Sequence, residues 1–331
     1  MAMNYRKSEA KEASRAQFRG LWTAITTPFT PDGALDEAGL RRNMRHVTDG
    51  LRIEGVFCTG VMGEFWSLTK EERKRVVEIV VEEARGKCKV IAHTAHHSVH
   101  ETVELTQHAE AAGADFATFM NPYYPPASEA MIYDWFEFVC TRVNIGVWIF
   151  DSAFAPVVLS PELTVRLAGI ENVCGAKISR PLEHYAKVKQ LCGDRIVLSN
   201  SSETEWLTLM RDYGQRVHQS TPTPYLYQAP GWLPLRDYTE LGLAGRYDEA
   251  AVISKSLAPV RAIWERCMKS AWAEKRVIPI AYLKAWSGLL GMAAGPVRSP
   301  LLQLSEAEHQ ALRADLERVG LLARARTARA A

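Results

Sequence analysis

The chain has 331 residues, of which 47% are apolar, enough for one large domain or two of ordinary size. Its 40 Lys and Arg residues nearly balance its 38 Asp and Glu residues, which excludes a basic surface for nucleic acid or an anionic membrane. No apolar run approaches the length of a membrane span. The six cysteines form no C-x-x-C pair, so we expect buried free thiols in a reducing cytoplasm.

The first segment, residues 1–19, has the sequence MAMNYRKSEAKEASRAQFR. It mixes both signs of charge and lacks the apolar core of a signal peptide. We therefore expect a disordered extension here, and a second disordered tail over residues 326–331.

From residue 21 onwards, short apolar stretches alternate with longer amphipathic ones. Turn residues bound each short stretch, and the composition is typical of parallel strands that are buried on both faces. The eight strand candidates are LWTAITTPF (21–29), EGVFCTG (54–60), KVIAHTA (89–95), DFATFMNP (115–122), IGVWIFDS (145–152), NVCGAKIS (172–179), RIVLSNS (195–201) and RVHQSTP (216–222).

Helical patterns fill the gaps between these strands. One of them, TKEERKRVVEIVVEEARG (69–86), begins with a Thr N-cap and a Glu three residues later, and it ends in Gly. Eight strand–helix units predict a (β/α)8 barrel over residues 20–240, followed by a helical region over 241–325. A doubly wound sheet is the alternative, but it would need a glycine-rich first turn, and TTPFTPDG is not one.

The sixth strand candidate contains a lysine where an apolar residue is expected. Lys177 shares a strand face with Gly175 and lies near the carboxyl end of the strand, where barrel enzymes place their chemistry. A small Gly175 would leave room in the lumen for the lysine and a ligand. Burial lowers the pKa of an amine, and a neutral amine can form a Schiff base with a carbonyl substrate. A lysine that pairs with a carboxylate or reaches solvent is the alternative.

Five stretches, taken in order, resemble the dihydrodipicolinate synthase / N-acetylneuraminate lyase family of class I aldolases. The resemblance covers about residues 20 to 305. The stretches are TAITTPFTPDGALD (23–36), GVMGEFWSLTKEER (60–73), HAEAAGADFATFMNPYYPP (108–126), CGAKIS (174–179) and GPVRSPLLQLS (295–305).

The resemblance implies a barrel enzyme in which Lys177 forms a Schiff base with pyruvate or another 2-oxo acid. It also implies that Tyr124 reaches a neighbouring subunit's site and supports a proton relay, within a homotetramer or a dimer. No metal and no organic cofactor is implied, and no nucleic acid or membrane partner.

Two departures from the family pattern bear on the substrate and on proton transfer. The family's hydroxyl residues that hold the 2-oxo acid's carboxylate are replaced by Val61 and Met62, which makes this part of the pocket more apolar. The family's relay tyrosine in the fifth strand is replaced by Phe150, which cannot transfer a proton. Tyr124, Asp151, Ser179 and an ordered water are candidates for that transfer.

The remaining differences concern the distal end of the substrate. The arginine that holds the second substrate's carboxylate in dihydrodipicolinate synthase is absent from residues 154–156. We predict that a distal group meets residues near the last strands, for which the candidates are Asn200, His218, Tyr225 and Tyr227. The predicted site thus contains Lys177 and Tyr124 as catalytic residues and, as substrate-binding residues, Val61, Met62, Phe150, Asp151, Ser179 and Asn200.

The sequence therefore predicts a Schiff-base lyase that cleaves a bulky or aromatic 2-oxo acid by a retro-aldol reaction. Benzylidenepyruvates, which yield an aromatic aldehyde and pyruvate, are compatible substrates. The alternatives are a dehydratase of a sugar-derived 2-oxo acid and a non-catalytic 2-oxo-acid-binding protein. Dihydrodipicolinate synthesis is disfavoured. The histidine run HTAHHSVH (93–100) is interpreted as structural rather than metal-binding, because it spans a strand end, a loop and a helix start.

Overall fold

A computed structural model of the chain describes residues 4–125, 127–155, 157–275 and 277–330. It contains eight parallel strands that form a nearly closed barrel, as the sequence predicts. The strands are β1 (Gly20–Ala24), β2 (Gly55–Cys58), β3 (Lys89–His93), β4 (Phe116–Phe119), β5 (Gly146–Asp151), β6 (Val173–Ile178), β7 (Val197–Asn200) and β8 (Val217–Thr221).

The hydrogen-bonded ladder runs in chain order from β1 to β7, and β8 pairs with β1. Side chains join the two ends of this ladder. Ser199 Oγ on β7 donates to the carbonyl of Val217 at 3.0 Å and accepts from the backbone N–H of Gln219 at 3.1 Å. Gln215 Nε2 also donates to Val217 O, at 2.8 Å. These bonds satisfy backbone groups of β8 that would bond to β7 if the two strands formed a regular ladder.

Helices pack around the outside of the barrel and follow the strands in turn. They are α2 (Glu37–Arg45), α3 (Lys70–Ala84), α4 (Val99–Ala112), α5 (Glu129–Cys140), α6 (Pro161–Leu167), α7 (Leu182–Cys192), α8 (Trp206–Tyr213) and α10 (Pro234–Leu243), with a single turn, α9 (Thr223–Leu226), directly after β8. The predicted start of α3 is confirmed, because Thr69 and Glu72 form a reciprocal capping box.

Beyond α10 the chain is helical, and these helices pack on the barrel. They are α11 (Tyr247–Ser256), α12 (Ala258–Trp264), α13 (Ala271–Lys275), α14 (Ile280–Leu289), α15 (Glu306–Arg318) and α16 (Leu321–Ala330). All six cysteines are free thiols, and all but the half-buried Cys88 are buried. Within the described part of the chain, no helix combines the length and the apolar character that crossing a membrane requires.

The expectation of a disordered extension over residues 1–19 is wrong from residue 4 onwards, and residues 1–3 lie outside the described part. Helix α1 (Ala10–Gln17) packs against β6 and β5 across the amino-terminal end of the barrel. Trp148 Nε1 donates to Ser14 Oγ at 3.2 Å, and the Phe18 ring stacks on Trp22 at 3.9 Å. Ala10, Ser14 and Phe18 recur at intervals of four, a helical spacing that the charged residues between them obscure.

The expectation of a disordered tail from residue 326 is also wrong, except for residue 331, which lies outside the described part. Helix α16 continues to Ala330. It is held because Leu321, Leu322 and Ala325 are buried, while the Arg324 guanidinium lies 4.3 Å from the centre of the Trp232 ring. The basic composition of this segment hides an apolar face.

We predict that Phe18→Ala lowers the free energy of unfolding by about 3–5 kcal/mol, because the ring is 2% exposed and leaves a cavity between two tryptophans. Urea denaturation followed by circular dichroism measures this loss. Leu302→Ala, at a side chain that is 85% exposed, serves as the control and should change stability by less than about 0.5 kcal/mol. A loss below about 1 kcal/mol for Phe18→Ala would mean that α1 is dispensable.

Candidate active site

Lys177 lies on β6 near its carboxyl end and is 6% exposed. In the strand registers it pairs with Phe150 on β5 and with Ser199 on β7. Its Nζ lies 4.6 Å from the centre of the Phe150 ring and 5.0 Å from that of Phe57. The amine is therefore held among aromatic faces, deep in the mouth of the barrel.

Burial lowers the pKa of Lys177 from its ordinary value of 10.5 to about 7. A shift of this size corresponds to about 5 kcal/mol against the charged form. Attraction between an ammonium and an aromatic face contributes about 2 kcal/mol even when desolvated, so the desolvation cost is the larger effect. A large fraction of the amine is consequently neutral at physiological pH and able to act as a nucleophile.

The space beside Gly175 is not available to a ligand, which corrects the sequence-based expectation. A Cβ at Gly175 would lie 2.1 Å from the Trp148 ring, so the missing side chain accommodates this tryptophan. Gly55 and Trp22 repeat the same arrangement on β2 and β1. The two glycines allow the Trp22 and Trp148 rings to fill the amino-terminal half of the barrel. The cavity therefore lies at the carboxyl-terminal end.

A cavity of about 310 Å³ opens above Lys177 at the carboxyl ends of the strands. Five of the predicted substrate-binding residues line it together with the lysine: Val61, Met62, Phe150, Ser179 and Asn200. The lining also includes Arg180, Glu203, Thr221, Thr223, Tyr227, Trp264 and Lys269. The predicted residues and the nucleophile therefore share one cavity.

The loop after β2 presents backbone donors to this cavity. It turns through a short 3-10 helix, Val61–Gly63, between Thr59 and Glu64, which both have positive φ angles, of 52° and 55°. Such conformations are costly for residues other than glycine and concentrate at functional sites. Among the described residues, no acceptor bonds the backbone N–H groups of Val61 and Met62. They are the first donors of a helical turn, which have no intrahelical partner.

The same loop is attached to the carboxyl-terminal helices through a buried carboxylate. Glu64 forms an ion pair with Lys284 of α14 at 2.5 Å and accepts the backbone N–H of Arg298 at 3.0 Å. Both charged side chains are almost completely buried, and burial lowers the pKa of Lys284 to about 8. Sequence analysis did not identify this pairing, because its two residues are more than 200 positions apart.

Asp151 does not line the cavity, although it was predicted to bind substrate. Its carboxylate accepts two bonds from Arg180, at 2.7 and 2.8 Å, and His184 Nε2 lies 3.7 Å from it. Burial raises the pKa of Asp151, and the Arg180 charge opposes that rise. The carboxylate orients Arg180, whose side chain does line the cavity.

Comparison with known proteins identifies the family. A family model described as the dihydrodipicolinate synthetase family matches residues 17–319. A 4-hydroxy-tetrahydrodipicolinate synthase from Methanothrix thermoacetophila is 32% identical over 298 residues, which is 89% of this chain and 95% of that protein. The chain belongs to the dihydrodipicolinate synthetase family. It is therefore a carbon–carbon lyase of the class I aldolase type.

Two further relatives align with almost the whole length of this chain. A 4-hydroxy-tetrahydrodipicolinate synthase from Methylobacterium radiotolerans is 30% identical over 314 residues, 94% of this chain and 99% of that protein. The crystal structure of dihydrodipicolinate synthase from Aquifex aeolicus is 26% identical and superposes with a TM-score of 0.80, covering 92% and 99% of the two chains.

Tyr124, the second predicted catalytic residue of this family member, does not line the Lys177 cavity of its own chain. It lies in the loop after β4, and 73% of the residue is exposed. Its neighbour Tyr123 is half-buried and contacts the rings of Phe65 and His97. The Tyr124 side chain is therefore directed toward the surface.

The histidine run does not form a metal site within the described part of this family member. No group of three or more potential metal-ligating side chains was found there. His93 is buried among aromatic rings, and its Nδ1 lies 2.9 Å from the carbonyl of Thr59. Only His96 and His97 stack, at 4.1 Å. His93 does not line the Lys177 cavity, because its ring packs against Phe65.

Several cavity residues were missed by sequence reasoning. Arg180 and the threonines of QSTPTP lie at or just beyond the carboxyl ends of strands, and that position is a usable signal because barrel sites are built there. Trp264 and Lys269 come from the carboxyl-terminal helices, and nothing local in the sequence indicates their proximity to Lys177. Of the suggested distal residues, Asn200 and Tyr227 line the cavity. Tyr225 is buried and bonds the carbonyl of Ala24 instead.

We predict that reductive methylation of Lys177 by formaldehyde and cyanoborohydride accelerates about tenfold per pH unit up to about pH 7 and then levels off, because only the neutral amine reacts. Peptide mass mapping at timed intervals measures the rate. The Lys177→Ala variant, which lacks the reacting amine, identifies the mass changes that belong to other lysines. A Lys177 rate that keeps rising well above pH 7 would contradict the lowered pKa.

Proposed function

We propose that this family member forms a Schiff base between Lys177 and the ketone of a 2-oxo acid, and that it cleaves a bulky or aromatic substrate with release of pyruvate. The observation that carries the proposal is the buried lysine in a cavity that combines polar side chains with aromatic ones, among them Phe57, Phe150 and Trp264. An iminium at this position withdraws electrons from the adjacent carbon–carbon bond, and such an electron sink is what retro-aldol cleavage needs.

The carboxylate of the 2-oxo acid would be bound by the loop after β2. The family pattern places hydroxyl side chains here, and Val61 and Met62 lack them, but their backbone N–H groups remain as donors. Two N–H groups with no other acceptor in the described structure suit a carboxylate, since charge-assisted hydrogen bonds are stronger than neutral ones. The side chains then contact the apolar part of the substrate.

A second volume extends the cavity and supports a substrate larger than pyruvate. A groove of about 440 Å³ shares Met62, Phe154 and Trp264 with the Lys177 cavity. It continues to Met268 and to Trp272, whose ring packs edge-on against Phe154 at 4.6 Å. An aryl group attached to a pyruvyl unit would bury apolar surface here, and aromatic contacts add specificity.

Synthesis of 4-hydroxy-tetrahydrodipicolinate is the second candidate, because the curated relatives cited above are named for it. Arg180 lies in the cavity and supplies a guanidinium that can bind a second carboxylate, although no arginine occupies residues 154–156. The apolar groove and the loss of both hydroxyls favour the first candidate. Dehydration of a sugar-derived acid would use the same iminium, and Ser201, Ser202 and Thr204 could bind its hydroxyls, but such a substrate would leave the aromatic groove unfilled.

We further propose that Tyr124 acts at the cavity of a neighbouring subunit in a homo-oligomer. The proposal depends on the family resemblance and on the exposure of this residue in the loop after β4. Its ring is not used for packing within its own chain, so it remains available for contact with a second copy.

We predict that incubation with pyruvate and borohydride adds one reduced pyruvyl group to the wild-type chain and none to Lys177→Ala, as measured by intact mass. Lys187→Ala is the control, because it removes a lysine whose side chain is 63% exposed and leaves Lys177 and the loop after β2 unchanged.

The outcome separates the candidate functions. An adduct on Lys177, followed by release of an aromatic aldehyde from a benzylidenepyruvate, supports the proposed cleavage. An adduct with formation of 4-hydroxy-tetrahydrodipicolinate and no cleavage supports the second candidate. An adduct without turnover of any tested acid indicates a binding protein, and absence of the adduct from the wild type contradicts the Schiff base.

We predict that Trp264→Ala lowers kcat/KM for benzylidenepyruvate by about 10- to 100-fold, because the contact of a buried aromatic group contributes about 1.5–3 kcal/mol. The rate of pyruvate trapping should change by less than about twofold, since pyruvate does not reach the groove. Trp135→Ala, which removes a half-buried tryptophan on α5, is the control. Equal losses for both substrates would mean that the groove does not hold the aryl group.

A further inference from the structure

The chemistry proposed for Lys177 requires proton transfer that its strand neighbour cannot provide. Forming the iminium, breaking the carbon–carbon bond and reprotonating the product each move a proton at the substrate. The ring beside Lys177 belongs to Phe150, which has no exchangeable proton. Tyr124 is on the surface of its own chain and Asp151 is paired with Arg180. Ser179 lines the cavity and its hydroxyl lies 3.0 Å from the Ser201 hydroxyl, but a hydroxyl needs a base to take its proton. A path of hydroxyls that ends at a base is therefore required.

Two hydroxyls and an imidazole form a connected cluster at the carboxyl end of β8. Thr221 and Thr223 line the same cavity as Lys177, and their Oγ1 atoms lie 2.6 Å apart. His218 Nε2 lies 3.3 Å from the Thr221 hydroxyl and 3.4 Å from the Thr223 hydroxyl. Each hydroxyl can both donate and accept, so the three groups form a continuous path from the cavity to a buried base.

The backbone explains why both threonines lie beside the imidazole. The pairing of β8 with β1 shifts register, so that Trp22 is opposite Gln219 but Thr23 is opposite Thr221. The extra residue forms a bulge, a feature that redirects side chains at barrel rims and near active sites. Thr23 Oγ1 fixes the bulge by donating to the carbonyl of Thr221 at 2.9 Å. The turn of α9 then places Thr223 beside Thr221.

His218 is a neutral imidazole beside the two hydroxyls. The residue is fully buried, and burial lowers its pKa to about 4, so the imidazole is neutral near pH 7 and holds an added proton only briefly. Glu203, from the loop after β7, opposes this shift, and the Lys177 charge reinforces it. Among the described residues Nδ1 has no hydrogen-bond partner, and an unpartnered buried polar atom calls for an explanation. In the tautomer with its proton on Nδ1, Nε2 accepts a hydroxyl proton.

We propose that Thr221 and Thr223 are the proton-transfer residues of this site and that His218 acts through them as the proton acceptor. This inference rests on the proposed Schiff-base function and assigns its acid–base step to a cluster on β8. The two hydroxyls are catalytic residues because they face the substrate, while His218 is a positioning residue that stores the proton.

The cleavage step balances as follows. With a benzylidenepyruvate bound to Lys177 as an iminium, water first adds across C3=C4, so that C4 gains the hydroxyl and C3 the hydrogen. One threonine Oγ then takes the proton of this C4 hydroxyl, while its own proton passes through the second hydroxyl to His218 Nε2. The C3–C4 bond breaks and C4 leaves as an aldehyde. The bond's electron pair forms the C2=C3 double bond, and the iminium π pair returns to Nζ. The stored proton then passes back to C3, and water hydrolyses the resulting iminium to release pyruvate and the free amine.

Hydrogen–deuterium exchange at the methyl group of pyruvate tests this path without requiring the natural substrate. The wild type is expected to exchange these protons in D₂O, as followed by NMR. The double variant Thr221→Val/Thr223→Val should exchange about 10²- to 10⁴-fold more slowly, the range expected when a general acid–base group is lost. It should still reach the wild-type amount of borohydride-trapped adduct at long incubation, because only proton-transfer rates change.

Three comparisons distinguish proton transfer from a structural role. Thr221→Ser/Thr223→Ser should restore exchange, because serine keeps the hydroxyls. His218→Gln should slow exchange in the wild type and have no further effect in the double valine variant, because residues of one path are not additive. Thr141→Val, at an exposed position directly after α5, should exchange like the wild type.

The outcomes separate this proposal from the one on which it rests. If wild type forms the adduct and exchange is unchanged in the double valine variant, or if His218→Gln is additive with it, the path is overturned and the Schiff base stands. If the wild type forms no adduct, the Schiff-base function fails and the path fails with it. If the double valine variant does not fold, the double serine variant and His218→Gln decide the test. Normal exchange in the double serine variant together with slowed exchange in His218→Gln supports the path. Any other result overturns it.

Discussion

Exclusion of water from one amine is the constraint on which the rest of this site depends. The Lys177 amine is held against the rings of Phe57 and Phe150, and the energetic cost of charging it there exceeds what those rings return through cation–π attraction. The lower half of the barrel is filled by Trp22 and Trp148, which fit only because Gly55 and Gly175 leave room. The site is thus a cavity that aromatic rings close toward the amino-terminal end of the barrel and that opens at the carboxyl ends of the strands.

This cavity explains why the replacement of the family's relay tyrosine by Phe150 requires proton-transfer groups elsewhere in the wall. With Phe150 as the strand neighbour of Lys177, the amine is drier than it would be beside a phenol, and its proton-transfer partner is lost. The polar groups of the cavity are instead concentrated at the ends of β7 and β8, where Asn200, Ser201 and the Thr221–Thr223 pair lie. In the proposed mechanism, the nucleophile on β6 and the hydroxyls at the end of β8 are thus separated by one strand of the barrel wall.

The alternation of short apolar and amphipathic stretches was sufficient to predict the barrel, and the lysine inside an apolar strand was sufficient to predict the position of the site. Those signals are local, since strand period and burial can be recognised within ten residues. Helix α1 was missed because charged residues separate Ala10, Ser14 and Phe18. Trp264, and the pairing of Glu64 with Lys284, were missed because their contacts join distant parts of the chain. The error at Gly175 was to assume that an absent side chain leaves empty space.

The Glu64–Lys284 pair gives the carboxyl-terminal helices a part in the geometry of the loop after β2. That loop has two residues at positive φ and would relax if its buried carboxylate lost its partner, since an unpaired buried charge is very unfavourable. A minimal barrel ending after α10 would therefore retain Lys177 but lose the turn that presents Val61 and Met62. Engineering this scaffold, by circular permutation or by exchange of modules between relatives, must treat α14 and the β2 loop as one inseparable unit.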